Sequence, residues 1–184
     1  MVSARCIKVL KLELELTQSI KINHIQLGSA DIEITDSSFT LKQLDLLLEE
    51  NGFERIVDKD FQLTEQIKVA VLEMIYYGNN LNTIIRNSDY LSDKLGHSYA
   101  YLSKVFSEKA GTTLEKYIIL VRIERVKELI GYGELTLSEI AYMMGYSSVQ
   151  YLSNQFKQIT SYSVSEYKQL PIKPRKALDR LLED

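Results

Sequence analysis

One stretch of this sequence occurs twice, and that duplication constrains the fold more than any bulk property does. Leu102-Ser103-Lys104-Val105-Phe106 returns fifty positions later as Leu152-Ser153-Asn154-Gln155-Phe156, and in each copy a tyrosine follows eleven residues after the phenylalanine, at Tyr117 and Tyr167. The likeness extends backwards, pairing Leu91, Leu95 and Gly96 with Ile140, Met144 and Gly145, with one extra residue between the glycine and the leucine of the second copy. Two equivalent structural units are the simplest source of such a pattern.

Each copy spells a helix, a glycine turn and a second helix. In the second copy Thr136-Leu137-Ser138-Glu139 forms a capping box, Ile140 and Met144 point inward, and small Ala141 permits a close helix crossing. Gly145 supplies the positive φ of a sharp turn, and Ser147 or Ser148 caps the next helix, in which Leu152 and Phe156 share the core side one turn apart. In the first copy Ser92 stands in place of Ala141, and Gly96 keeps the turn. Thr112 to Glu115 and Ser163 to Glu166 read as further capping boxes. A long helix from Thr113 to about Ile130 joins the copies; roughly 18 residues at 1.5 Å each span about 27 Å. That length approaches the ~34 Å between successive major-groove faces of B-DNA.

These residues carry a resemblance. Ser88 to Lys168 resembles the DNA-binding domain of the AraC/XylS family of transcription regulators, most fully in Ile140-Ala141-Tyr142-Met143-Met144-Gly145-Tyr146-Ser147, Tyr151-Leu152-Ser153-Asn154-Gln155-Phe156-Lys157 and Ser165-Glu166-Tyr167-Lys168. Arg122-Ile123-Glu124-Arg125-Val126 matches the connecting helix, whereas Ser161, Val164 and Val126 replace the family's usual Gly, Pro and Ala. The resemblance implies a sequence-specific regulator that binds double-stranded DNA at promoters, often with RNA polymerase as a partner. By position, the first reading helix then offers Tyr99, Ala100, Ser103 and Lys104, and the second offers Ser148, Val149, Gln150, Tyr151 and Asn154. Gln150 or Asn154 suits adenine, Lys104 suits guanine, Val149 or Ala100 suits a thymine methyl, and Lys109 and Lys157 suit phosphates. Arg122 and Arg125 are expected to brace the long helix through Glu124 or Glu128.

The first half has a different character. Cys6 to Leu16 carries Cys6, Val9 and Leu10 on one helical stripe; Ile20 to Leu27 and Ala30 to Thr35 alternate like strands around a Gly28-Ser29 turn. Thr40-Leu41-Lys42-Gln43 caps a helix containing Leu44, Leu47 and Leu48 that stops at Asn51-Gly52, and Phe53 to Val57 reads as a third strand. The order resembles a heavy-metal-associated, ferredoxin-like domain lacking its first strand. That family clamps a soft ion with a Cys-x-x-Cys pair, but Ser3 occupies the first position here and Cys6 is the only cysteine. If the chain starts at Met1, the missing edge strand predicts an open sheet edge suited to self-association.

The expected organisation is thus a truncated ferredoxin-like α+β domain over residues 1–60, an all-α double helix-turn-helix domain over 61–170, and a tail over 171–184. The amphipathic helix from Thr64 opens the second domain and ends at Gly78-Asn79-Asn80. The net charge is −3, with the acidic excess in the first half and a balanced region from Ser88 to Leu170. Phosphate neutralisation favours basic proteins, so this balance keeps a non-DNA-binding interaction module as an alternative, and Cys6 in the heavy-metal-associated resemblance keeps a metal-sensing regulator as another. No glycine-rich phosphate loop, nucleophile elbow or paired-ligand motif suggests an enzyme or a cofactor. No apolar run approaches the roughly 18 residues of a membrane span, which predicts a cytoplasmic protein without membrane partners.

Overall fold

The computed structural model describes residues 4–78 and 86–182. Ser3 and the Asn79-Asn80 part of the expected helix stop lie outside the described residues. The chain forms two compact units, Met1–Val69 and Ala70–Asp184.

The first unit contains α1 (Ala4–Leu16), β1 (Ile20–Gln26), β2 (Ser29–Ile34), α2 (Leu41–Glu50) and the start of α3 (Lys59–Tyr76). The strands pair antiparallel, Ile20 opposite Ile34 and Gln26 opposite Ser29, with an irregularity between Ile22 and His24. The turn is Leu27-Gly28, one residue earlier than expected. Leu10 and Leu14 of α1, Ile20 of β1 and Leu44 of α2 form the buried core, covered by Ile22, Ile25, Ile32, Phe39, Leu47, Leu48 and Phe53.

The ferredoxin-like expectation is not confirmed, because the sheet among the described residues has two strands and Phe53 to Val57 forms none. The backbone groups of this segment have other partners. At the end of α2 the Gly52 N–H donates to the Glu49 carbonyl at 3.0 Å and the Phe53 N–H to the Leu48 carbonyl at 2.8 Å, a Schellman closure that turns the chain back on the helix. The Arg55 guanidinium then grips the Asp45 carboxylate of α2 with two hydrogen bonds, of 2.7 and 2.9 Å. The next helix also starts earlier than Thr64. The Asp58 carboxylate accepts from the Asp60 and Phe61 amides at 2.8 and 3.1 Å and so caps the start of α3.

Among the described residues the second unit contains the end of α3 and six further α-helices: α4 (Asn87–Leu95), α5 (Tyr99–Ala110), α6 (Leu114–Tyr132), α7 (Leu137–Met143), α8 (Val149–Thr160) and α9 (Val164–Gln169). The duplication holds at the level of caps. Ser98 and Ser148 cap α5 and α8 by accepting from Tyr101 and Tyr151 amides; Thr113 and Ser163 cap α6 and α9 in the same way. The α6 cap is therefore Thr113 and not Thr112. Gly111 and Ser161 end α5 and α8 in left-handed geometry, at φ 67° and 65°.

The repeated Phe and Tyr explain each other. Phe106 packs on Tyr117 and Phe156 on Tyr167, each with ring centroids 5.3 Å apart, so one aromatic pair locks α5 to α6 and the other locks α8 to α9. Around the second pair, Ile123, Val126, Leu129 and Ile130 of α6 meet Ile140, Ala141 and Met144 at α7 and Leu152 and Phe156 of α8.

The segment after α9 is fastened to α6. The Tyr167 hydroxyl donates to the Pro174 carbonyl at 3.0 Å, the Lys176 amide donates to Glu124 Oε2 at 3.2 Å, and Arg175 lies 3.6 Å from Glu128. Glu124 is buried and also accepts from Lys127 at 2.6 Å. Leu178–Arg180 closes the strap as one 3-10 turn, and Leu181 is buried.

Candidate nucleic-acid interface

Both helix-turn-helix units depend on one backbone step. Gly96 and Gly145 sit at φ 68° and 70°, where any other residue is strained, and each turns the chain from the first helix of its unit toward the second. The inward sides of the second helices are closed off: Leu102, Phe106, Leu152 and Phe156 are all at 0% exposure. Their outward sides carry Ala100, Tyr101 and Lys104 on α5 and Gln150, Tyr151, Asn154 and Lys157 on α8, all exposed. Between them α6, of 19 residues, spans about 28 Å.

The expected contact residues divide into open and tethered groups. Ala100 and Lys104 face solvent, and Lys104 lies 3.9 Å from Glu108 on the same helix, a contact of little energetic weight at that exposure. Ser103 is half-buried. Tyr99 is held: its hydroxyl donates to Glu115 Oε1 at 2.8 Å, and burial together with that carboxylate raises the phenol's pKa. On α8, Ser148 serves as the cap, and Val149 packs partly against the core. Gln150, Tyr151 and Asn154 remain open, with the Gln150 amide donating to Asn154 Oδ1 at 2.9 Å. Lys109 is half-buried and Lys157 exposed.

Tyr101 was not among the expected contacts. It occupies in α5 the position Tyr151 occupies in α8, immediately before the buried leucine, and it leans on His97 of the turn with centroids 5.2 Å apart. The register of the repeat itself was the signal. Tyr151 has a similar brace in Tyr146, 5.8 Å away at 63°. Tyr146 in turn donates to Gln155 at 2.6 Å and lies under the Arg122 guanidinium at 5.5 Å. Burial pushes the Tyr146 phenol up to about 12, so it stays a neutral donor.

The arginines of α6 are structural, though not as one pattern. Arg125 pairs with Glu128 at 2.5 Å, as expected, and stacks over Tyr76 of α3 at 5.0 Å. Arg122 stacks on Tyr146 and braces the second turn. Among the described residues no cluster of three or more metal-ligating side chains forms, and Cys6 lies half-buried on α1. No helix among them is long and apolar enough to cross a membrane.

Comparison with known proteins bears on this geometry. Residues 91–170 match the family model described as a helix-turn-helix domain. The chain is 33% identical over 108 residues to an uncharacterized HTH-type transcriptional regulator in the cgkA 5' region of Pseudoalteromonas carrageenovora, covering 56% of this chain and 63% of that protein. It is 30% identical over 99 residues to the xylose operon regulatory protein of Escherichia coli K12, covering 54% of this chain and 25% of that protein. These relatives are named as regulators and not as enzymes, and the chain spans less than two thirds of the length of either. Among solved structures, the C-terminal domain of AraT, a response regulator from Geobacillus stearothermophilus, superposes with a TM-score of 0.50 at 20% identity, over 62% of this chain and 88% of that one. That likeness establishes the shared fold. The duplicated turns give residues 91–170 the make-up of a helix-turn-helix domain, similar to the matched family model and to segments of proteins named as regulators.

Proposed function

We propose that this chain is a sequence-specific, double-stranded-DNA-binding transcription regulator that uses α5 and α8 as its two reading helices. The observation that carries the proposal is the pairing of two second helices whose inner faces are sealed and whose outer faces are open, each set by a left-handed glycine turn. In this geometry the N-terminal side chains of each helix meet base edges. Ala100, Ser103, Lys104, Gln150, Tyr151 and Asn154 are the base-facing set, with Tyr101 added; Tyr99, Ser148 and Val149 hold the helices that carry them. Lys109 and Lys157 are the proposed phosphate contacts.

The regulator names of the relatives support action at a promoter, and RNA polymerase is the partner that such action implies. The two-stranded sheet of the first unit supports self-association by strand addition. A second reading, an interaction module that no longer binds DNA, draws on the balanced charge from Ser88 to Leu170.

Titration of labelled genomic duplexes at several salt concentrations separates the two. A regulator that neutralises phosphates loses affinity steeply as salt rises, with a log-log slope of about −0.9 per phosphate contacted. Retention that is absent, or indifferent to salt, rejects DNA binding and leaves the interaction module.

A further inference from the structure

We infer that Gln150 and Asn154 act as one composite reader of an A·T base pair, and that the equivalent positions of α5 do not, so the DNA site is asymmetric. This rests on the DNA-binding reading above. The two amides are one helical turn apart on the open face of α8 and already hydrogen-bonded to each other at 2.9 Å.

The chemistry of that bond dictates what is left over. When one primary amide donates an N–H to the other's oxygen, the donor amide keeps its own carbonyl as an acceptor and the acceptor amide keeps its N–H groups as donors. Turning both amides together keeps the bond and merely exchanges which residue supplies the free acceptor and which the free donor. Gln150 and Asn154 therefore present one acceptor and one donor side by side. Among single bases only adenine shows the complement in the major groove, the N6 amino donor beside the N7 acceptor; a G·C pair offers an acceptor beside a donor only across its two bases, as guanine O6 next to cytosine N4, displaced from the purine's N7 edge. Guanine shows two acceptors and would face the leftover carbonyl with O6. Cytosine lacks the acceptor and thymine lacks the donor.

The neighbouring side chain agrees. A thymine opposite that adenine projects its methyl into the groove, and Tyr151, the residue after Gln150, carries an exposed ring. The ring is held in place by Tyr146, which is itself fixed by Gln155 and Arg122. Fixed apolar surface meets a methyl group at lower entropic cost than a swinging side chain.

The duplication supplies an internal control. In the register of the repeat, Ala100 stands for Gln150 and Lys104 for Asn154. A methyl and an ammonium cannot form an acceptor-donor pair, and lysine offers donors alone, which suits guanine. One half of the site is then A·T under α8, and the other contains a G·C pair under Lys104.

Selection from random duplexes with the full chain, followed by anisotropy titrations of Gln150→Ala, Asn154→Ala and the double variant, tests this. The expected outcome is a consensus adenine whose replacement by guanine weakens wild-type binding roughly 5- to 100-fold. Each single variant abolishes that preference, and the double variant loses no more than either single, because the amides work as a unit. Placing 7-deazaadenine at the consensus position weakens the wild type but not the variants. Both residues are exposed, and unchanged thermal midpoints confirm that the variants fold. Gln150→Arg should move the preference toward guanine. Wild-type binding without an adenine that responds to either variant, or equal loss on every sequence, overturns the composite reader while leaving DNA binding intact. Failure to enrich any sequence overturns the DNA-binding reading and this inference with it.

Discussion

Replacing Glu124 with alanine should destabilise the Ala70–Asp184 unit by about 3 to 5 kcal/mol, the cost of leaving one member of a buried ion pair alone. Glu124 is 4% exposed and Lys127 9%, and their 2.6 Å contact lies within α6 among the core residues that hold both reading helices. The second carboxylate oxygen accepts from the Lys176 amide at 3.2 Å, so the same change removes the partner of a backbone donor in the strap. Each of these losses is larger than the net worth of the bond itself, because the orphaned group has poor access to water. The complementary perturbation is Glu124→Leu with Lys127→Met, which removes both charges at similar volume and should recover the ion-pair part of the loss, leaving about 1 to 3 kcal/mol for the Lys176 amide that still lacks its acceptor. Urea denaturation followed by circular dichroism gives the free energies, and thermal melts should drop by roughly 4 °C per kcal/mol. Repeating the urea series in 1 M NaCl tests burial directly, since a shielded pair is insensitive to screening. The reasoning is refuted if the single variant loses less than about 1 kcal/mol, if the double variant loses as much as the single, or if high salt erases the difference.

Other outcomes follow from the same structure. Phe156→Ala should cost about 3 to 5 kcal/mol in urea denaturation, because the ring is fully buried against Tyr167. Ser161→Gly should stabilise by roughly 0.5 to 1 kcal/mol, since Ser161 holds φ 65° where glycine is unstrained; a drop in melting temperature would contradict this. The capping-box carboxylates of Glu139 and Glu166 are held below their ordinary value of 4.5 by hydrogen bonds from Thr136 and Ser163. A group depressed in the folded state contributes stability that is complete above its unfolded pKa and disappears as pH falls through the folded value. Melts from pH 6 to 3 should therefore decline less steeply for Glu139→Gln and Glu166→Gln than for the parent. Lys157→Ala should weaken DNA binding about equally on all sequences and flatten the salt slope by about one contact, as read by titration at several ionic strengths.

The C-terminal half was legible because its repeat duplicates backbone instructions as well as hydrophobic spacing. Serine or threonine before α5, α6, α7, α8 and α9 and glycine after the first helix of each unit left few alternative boundaries, and the buried Leu and Phe fell where their spacing placed them. The exception is instructive: Thr112 and Thr113 are adjacent and chemically alike, and only the geometry selects Thr113 as the cap. The first half was harder to read for a different reason. Phe53 to Val57 has strand-like composition, but its fate depends on Arg55 finding Asp45 and on the closure at Gly52, contacts that local propensity does not contain. Asp58 lies just before the expected boundary at residue 60, and its role as a helix cap depends on geometry that its charge alone does not declare. At the proposed interface, residue type indicated which side chains suit base edges, yet it did not reveal that Tyr99 would be tied to Glu115 or that Gln150 and Asn154 would bond to each other.

The strap after α9 has a practical bearing on where this domain ends. The segment matched by the family model ends at Leu170, but Pro174, Arg175, Lys176 and Leu181 are fastened onto or buried in the same unit. A fragment trimmed at the edge of the matched segment would strip a carboxylate of its amide partner and bare the flank of the rod that sets the spacing of the two reading heads. The physical module reaches at least to Leu181, and a minimal working piece has to be cut beyond it.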